Sequence, residues 1–411
     1  MINRSEVIWN IVASICAAAL SFVLLLLVTR INGVDQGGMF SIAFATATVL
    51  NAMADFGMRV YQVTDTKKVY SFGVYVSARW AVDLAMILCG AAFIILSGYS
   101  IEKAGVCFGL IFFRFVDGLS ETYQGEFQLN ERLDLAGKSV FIRMVLSVAV
   151  FFMVDMLTKN LLASIISLTL TNLLLFILYD VRLISNYTKE RPSFRADQIG
   201  TVIKDCFPLF LSTFLNNYII NAPKYAIDKL PSSYEMQAFF NILYLPTFTI
   251  NLMSIFVLKP MLRTLGVMWN EKEDRKFLAV VGKMAVAIII LTIGVELVCA
   301  FLGIPVLSLI FGVDLAAYKA ELLILVLAGG FSALSVVLFY ALTTMRAQGK
   351  VGIAYLVSAL LGLFCSNLLV REYKILGAAI SSVALLATLF LTLLALFFYE
   401  WKKRLKMSTM C

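Results

Sequence analysis

The 411-residue chain has no histidine, and only 15% of its residues are charged. The missing imidazole removes the commonest metal ligand and the commonest general base together. Seven cysteines (Cys16, Cys89, Cys107, Cys206, Cys299, Cys365 and Cys411) are scattered with no C-x-x-C pair. That spacing argues against a disulfide framework and against a zinc site. A soluble domain carries about 25% charged residues. What fills the space instead is apolar: 61% of the chain is hydrophobic, with a mean hydropathy of +0.90. Such an excess has no interior to go into, so lipid is its natural solvent.

Apolar runs bounded by charge fall at 7–29, 39–58, 80–97, 105–123, 139–157 and 161–181 in the first half. In the second half they fall at 206–226, 234–258, 277–302, 320–343, 351–370 and 375–401. Each is near the roughly 20 residues that a bilayer-crossing helix needs. The expected fold is therefore all-α integral membrane, with twelve transmembrane helices and short connectors. The first run is too long for a signal-peptide core and lacks a small-residue cleavage site, so it reads as a retained span. With the N-terminus inside, 24 of the 34 Lys and Arg lie on inner segments, eight on outer ones, and Arg114 and Arg143 within spans. This bias places both termini in the cytoplasm. It also accounts for the net charge of +8 with no need of nucleic acid. The basic tail at 399–406 reads as a juxtamembrane anchor to anionic membrane lipids.

A polar connector at 185–204 divides the chain. The expected organisation is an N-terminal lobe at 1–184, this cytoplasmic connector, a C-terminal lobe at 205–401 and a basic tail at 402–411. A shift of 200 positions pairs Phe40, Ile42, Asn51, Met53 and Phe56 with Phe240, Ile242, Asn251, Met253 and Phe256. Gly137-Lys138 opens the fifth span and Gly349-Lys350 the eleventh. Both matches fall on equivalent spans, as parallel repeats would place them.

Within hydrocarbon, polar residues are the informative ones. Span four carries Arg114, Asp117, Glu121, Gln124 and Gln128, spaced by three and four and so on one helical face. Span two carries Ser41, Thr48, Asn51 and Asp55, with Arg59 one turn beyond. Span seven carries Thr213, Asn217, Asn221, Lys224 and Asp228, with Pro223 expected to break its outer end. Span eight carries Gln237, Asn241, Tyr244 and Asn251, with a kink expected at Pro246. Span one has the milder stripe Asn10, Ser14, Ser21, and single charges stand at Asp83, Arg143 and Glu296. For isolated Ser, Thr and Asn the plain reading is interhelical hydrogen bonding. A whole stripe with a buried arginine asks for more, since one central cation costs at least about 2.5 kcal/mol. Arg114 with Asp117 and Arg79 with Asp83 are at ion-pair spacing. Arg143, Arg114 and Lys224 have few close acidic partners in the sequence, and a guanidinium in a wet cleft suits a phosphate.

Several of these segments resemble bacterial polysaccharide repeat-unit flippases (O-antigen and capsule, Wzx-type) of the multidrug/oligosaccharidyl-lipid/polysaccharide (MOP) exporter superfamily. They are RINGVDQGGMFSIA at 30–43, ADFG at 54–57, and Phe113-Arg114 with Gln124-Gly125 and Gln128. RLDLAGK at 132–138 with Arg143, and LNNYIINAPKYAID at 215–228, complete the set. The resemblance covers essentially the whole chain. It implies a V-shaped pair of pseudo-symmetric six-helix lobes in the bacterial plasma membrane. These would move an undecaprenyl-diphosphate-linked oligosaccharide from the inner to the outer leaflet by alternating access. The diphosphate is then expected at Arg114, Arg143 and Lys224, and sugar hydroxyls at Asn10, Asn217, Asn221, Gln237, Asn241 and Tyr244. No catalytic residue, metal or cofactor is expected. A proton or sodium gradient would act through Asp55, Asp83, Asp117, Glu121, Asp228 or Glu296, as carriers or gates. A polysaccharide polymerase and export machinery are the expected protein partners. The rival readings are a multidrug-extrusion antiporter of the same superfamily and a membrane-embedded glycan polymerase or acyltransferase. The short, largely apolar outer connector at 303–319 and the missing histidine weigh against the enzyme.

Overall fold

A computed structural model describes residues 4–64, 69–231, 233–258, 261–271, 273–345 and 347–409. Lys67, Lys68, Lys259, Lys272 and Arg346 of the charge tally, and Cys411, lie outside them. All regular structure among the described residues is helical, as a lipid solvent dictates, because a helix satisfies its own backbone polar groups. The described chain forms two compact units, Met1–Asn217 and Tyr218–Cys411.

The first unit contains α1 (Arg4–Asn32), α2 (Val34–Asp55), α3 (Met58–Thr64), α4 (Phe72–Leu96), α5 (Ile101–Leu129) and α6 (Leu133–Thr158). It continues with α7 (Leu161–Ile184), whose Phe176–Val181 segment is a π-helix, and with the first part of α8 (Ala196–Asp228). Local chemistry sets the boundaries. Ser100 caps α5 by accepting from the Lys103 N–H at 3.3 Å, and Asn160 caps α7 by accepting from Ala163 N–H at 3.0 Å. The ADFG segment is a helix stop: Phe56 and Gly57 both take left-handed backbone, at φ 49° and 66°. Helix α5 is the hub and packs against α2, α3, α4, α6 and α7. Its charged stripe is thereby kept from lipid.

The second unit holds the end of α8, then α9 (Ser233–Leu243), α10 (Leu245–Leu258), α11 (Met261–Asn270) and α12 (Asp274–Phe311, π-helical at Cys299–Gly303). It closes with α13 (Lys319–Thr344) and α14 (Gln348–Thr409), which is broken at Lys374. Here α13 is central, packed against α10, α12 and α14. The expected kink at Pro246 is present as the break between α9 and α10 at Tyr244. The expected break at Pro223 is not: α8 runs through it to Asp228. A proline forfeits one hydrogen bond, and flanking turns hold the helix together where packing supports them.

Eight helices among the described residues are long and apolar enough to cross a membrane. Twelve apolar runs were expected. The difference has physical sources. Helix α5 carries its charged stripe, α8 is rich in polar residues, α9 and α10 are individually short, and α14 joins two runs across Lys374.

Candidate functional site

In the first unit the α5 stripe organises a continuous polar network. Arg59 Nη1 donates to Gln124 Oε1 at 3.0 Å, and Gln124 Nε2 donates to Ser120 Oγ at 3.0 Å. Ser120 Oγ donates to Asp180 Oδ2 at 2.6 Å, and Asp180 Oδ2 is 3.7 Å from Arg143 Nε. Arg143 Nη1 then donates to Asp117 Oδ1 at 3.1 Å and to Asn172 Oδ1 at 2.6 Å. Asp117 also pairs with Arg114 Nη1 at 3.4 Å. Asn172 Nδ2 donates to Asp117 Oδ1 at 3.2 Å, which closes the loop.

This network borders a cavity of about 210 Å³ lined by Asn10, Asn51, Arg59, Arg114, Glu121 and Arg143, with Asp117 and Gln124 among the remaining lining residues. The volume admits several waters, since each occupies about 30 Å³ in the liquid. The three arginines are not equivalent. The Arg143 side chain is 2% exposed and held by two carboxylates and an amide. Arg114 is 18% exposed and has one carboxylate partner, with its Nε lacking a hydrogen bond. Arg59 has Gln124.

A second ion-pair cluster adjoins it. Buried Arg79 pairs with Asp83 at 3.3 Å and with Glu121 at 3.3 Å, and it donates to the Asp55 carbonyl at 3.4 Å. Its guanidinium lies over Gly118, where any Cβ would collide with it. Both ion pairs foreseen from spacing, Arg114–Asp117 and Arg79–Asp83, are present. The sequence missed Asp180, Ser120 and Asn172, and it did not rank Arg59 as a site residue although it stood one turn beyond the α2 stripe. Beside this unit's connector, the Tyr61 hydroxyl donates to Asp205 at 2.9 Å, and that carboxylate pushes the phenol up to about 12.

The second unit brings together four other expected residues. Lys224 Nζ stands 5.7 Å from the Tyr244 ring centroid, a cation–π distance. The Lys224 carbonyl accepts from Gln237 Nε2, and the Gln237 carbonyl accepts from Asn241 Nδ2 at 2.8 Å. Asn221 is buried on α8, and Asp228 is the last residue of that helix. Asn217 ends the first unit. Glu296 lies on α12 just before its π-turn, with Oε2 lacking a hydrogen-bond partner.

No protein-family model matches the chain. A capsular polysaccharide biosynthesis protein of Staphylococcus aureus, CapF, is 25% identical over 380 residues, which is 90% of this chain and 93% of that protein. The lipid II flippase MurJ, in an inward closed conformation, superposes with a TM-score of 0.71 at 13% identity, covering 96% of this chain and 89% of its own. An inward-facing multidrug resistance transporter of the MATE family and MOP superfamily superposes with a TM-score of 0.59 at 12% identity, covering 97% and 98%. The chain shares the fold of these two transporters. The resemblance read from the motifs is borne out, and this multi-pass membrane protein has transporters as its structural neighbours.

Proposed function

We propose that the chain is a flippase for undecaprenyl-diphosphate-linked oligosaccharide repeat units, used in cell-surface polysaccharide synthesis. In this reading it spans the bacterial plasma membrane twelve times with both termini in the cytoplasm. Its halves, 1–184 and 205–401, flank the 185–204 connector and work by alternating access without covalent chemistry. One observation carries the proposal: the Arg114 and Arg143 guanidiniums line a polar cavity of about 210 Å³ inside an apolar helix bundle. Their fork geometry suits a diphosphate. Similarity to a capsular polysaccharide biosynthesis protein along 90% of the chain supports a glycan cargo. The central position of the fourth span in each half, α5 and α13, supports the duplicated organisation.

Arg114 is the primary contact, because a phosphate has only one weak carboxylate contact to displace there. Arg143, held on three sides, fixes the electrostatics of the cavity. Lys224 with Tyr244, and the amides Asn10, Asn217, Asn221, Gln237 and Asn241, supply further polar contacts for the cargo. Coupling to a proton or sodium gradient would use Asp55, Asp83, Asp117, Glu121, Asp228 or Glu296. A polysaccharide polymerase and export machinery are the proposed partners. The likeness to MATE transporters favours a second reading, a multidrug antiporter. The higher TM-score to a lipid-linked-precursor flippase and the capsule relative weigh against it.

The test is to replace Arg114, Arg143 and Lys224 singly by alanine and measure outward accumulation of lipid-linked glycan in reconstituted vesicles. Reduced flux is expected for each. Wild-type flux at wild-type protein levels in all three would sink the anion-site proposal, and new glycosidic or ester bonds would point to an enzyme.

A further inference from the structure

Helices α1 and α6 run side by side in the same direction and are tied at both ends. At one end α6 presents Gly137, where a Cβ would stand 2.6 Å from the Trp9 carbonyl oxygen. The Trp9 and Phe141 rings meet edge to face beside it, with centroids 5.6 Å apart. At the other end Asn32 Nδ2 donates to Asp155 Oδ1 at 2.7 Å. Between the ties lies an apolar groove of about 450 Å³, lined only by residues of these two helices. Small side chains, Cys16 and Ala19 on α1 and Ala149 on α6, leave it wide, while Leu27 and Phe152 line it further along. From Cys16 to Leu27 the α1 wall rises about 16 Å.

The same two helices also bound the polar cavity, through Asn10 and Ser14 on α1 and Arg143 on α6. Met144 lines both spaces. A site for two guanidinium-binding oxygens and a slot for a hydrocarbon chain thus share a wall residue. That is the complement of one amphiphile with an anionic head and a long tail.

We propose that the α1–α6 groove seats the isoprenoid chain of the lipid-linked substrate while its diphosphate occupies the Arg114 cavity. This rests on the flippase reading above. Inside a bilayer the hydrophobic effect gives no net reason for a tail to leave its lipid neighbours. The groove therefore contributes alignment more than affinity: it holds the first part of the tail parallel to α1 and α6, so that the diphosphate enters beside Arg114. A phospholipid acyl chain is equally apolar, but its head carries no diphosphate to anchor it there. Selection comes from the juxtaposition of the two spaces.

The experiment uses the full chain in phospholipid vesicles with two photoactivatable probes, a polyprenyl diphosphate with a diazirine in the tail and a phosphatidylglycerol with one in its acyl chain. The polyprenyl probe is expected to label peptides covering 16–27 and 144–152, and unlabelled polyprenyl diphosphate should compete. The double substitution Ala19→Trp with Ala149→Trp should cut that labelling about tenfold and slow flux of a long-tailed glycan more than that of a short-tailed analogue. Ala149→Leu, a milder filling, should act in the same direction if the double variant fails to fold. Equal labelling by both probes without competition would overturn the proposal, as would wild-type long-tail flux in folded groove variants. If those variants are normal while Arg114→Ala loses flux, the groove alone fails. If Arg114→Ala is normal too, the anion site fails with it, whereas absence of lipid-linked glycan flux with the wild-type chain would sink the flippase reading itself.

Discussion

Arg143 Nη1 lies 3.1 Å from Asp117 Oδ1, 26 positions apart on neighbouring helices, in a pair whose side chains are 2% and 11% exposed. Asp180 stands on the other side of the same guanidinium. Removing the cation leaves buried Asp180 without its counter-charge and Asp117 with Arg114 alone, a loss of about 3–5 kcal/mol for a broken buried pair. Arg114, more exposed and singly paired, sits nearer the regime of about 0–1 kcal/mol. Arg143→Ala is therefore expected to lower the thermal unfolding temperature in detergent and the amount of protein in the membrane. Arg114→Ala should leave both near wild type and lose flux. Equal thermal stability of the two variants would contradict the division of roles.

The tight crossing at Gly137 supports a second expectation. A Cβ at Gly137 would stand 2.6 Å and 2.7 Å from the Trp9 carbonyl atoms, and backbone cannot swing aside as a flexible side chain can. Gly137→Leu should wedge α1 from α6 at a cost of about 1–3 kcal/mol, read as a fall in unfolding temperature. Gly282→Leu on α12, where nothing stands within 4 Å of the added Cβ, is the control and should show little change.

The polar face of α5 was legible because an α-helix in hydrocarbon spaces its polar residues by three and four, as Arg114, Asp117, Glu121 and Gln124 do. Asp180 was not. At about 100° per residue it would stand about 80° round the helix from Asn172. The wider π-turn at Phe176–Val181 takes up that offset, and both side chains reach the Arg143–Asp117 pair. Pro223 misled for a related reason, since a proline marks a lost hydrogen bond and does not fix what the surrounding turns do. Twelve apolar runs were readable from the sequence, but the polar face of α5 shows that a helix packed inside a bundle need not be apolar all round. How the 215–228 segment meets its neighbours depends on tertiary packing that no local pattern records.

The hairpin inside α14 stores backbone strain. Lys374 holds φ 50° and ψ −124°, a region where a Cβ is costly, typically by about 1–3 kcal/mol. Lys374→Gly should raise stability by about 1 kcal/mol, the part of that strain left after glycine's extra chain entropy. Three residues on, a Cβ on Gly377 would run into the Leu369 carbonyl, so Gly377→Ala should lower stability. Opposite shifts in unfolding temperature for these two neighbours are the expected result. Shifts of the same sign would show that the turn is not built as described.

Asp117 occupies Arg114 at 3.4 Å, and under the proposed function this is the contact that a diphosphate would have to displace. Asp117→Asn keeps the shape and the possibility of a hydrogen bond but removes the competing charge. Asp180 still balances Arg143, so the variant should fold. A diphosphate head should then bind more tightly, by about tenfold, because it no longer has to dislodge a carboxylate. Release needs the reverse exchange, with Asp117 reclaiming Arg114 as the cargo leaves, and without that charge the cargo dwells. The expected signature is lower dissociation constant for polyprenyl diphosphate together with slower outward flux. Pyrophosphate competition against a tail-labelled probe measures the first and the vesicle assay the second. Weaker binding with slower flux would mean that Asp117 only shapes the cavity, and faster flux would mean that release is not governed by this pair.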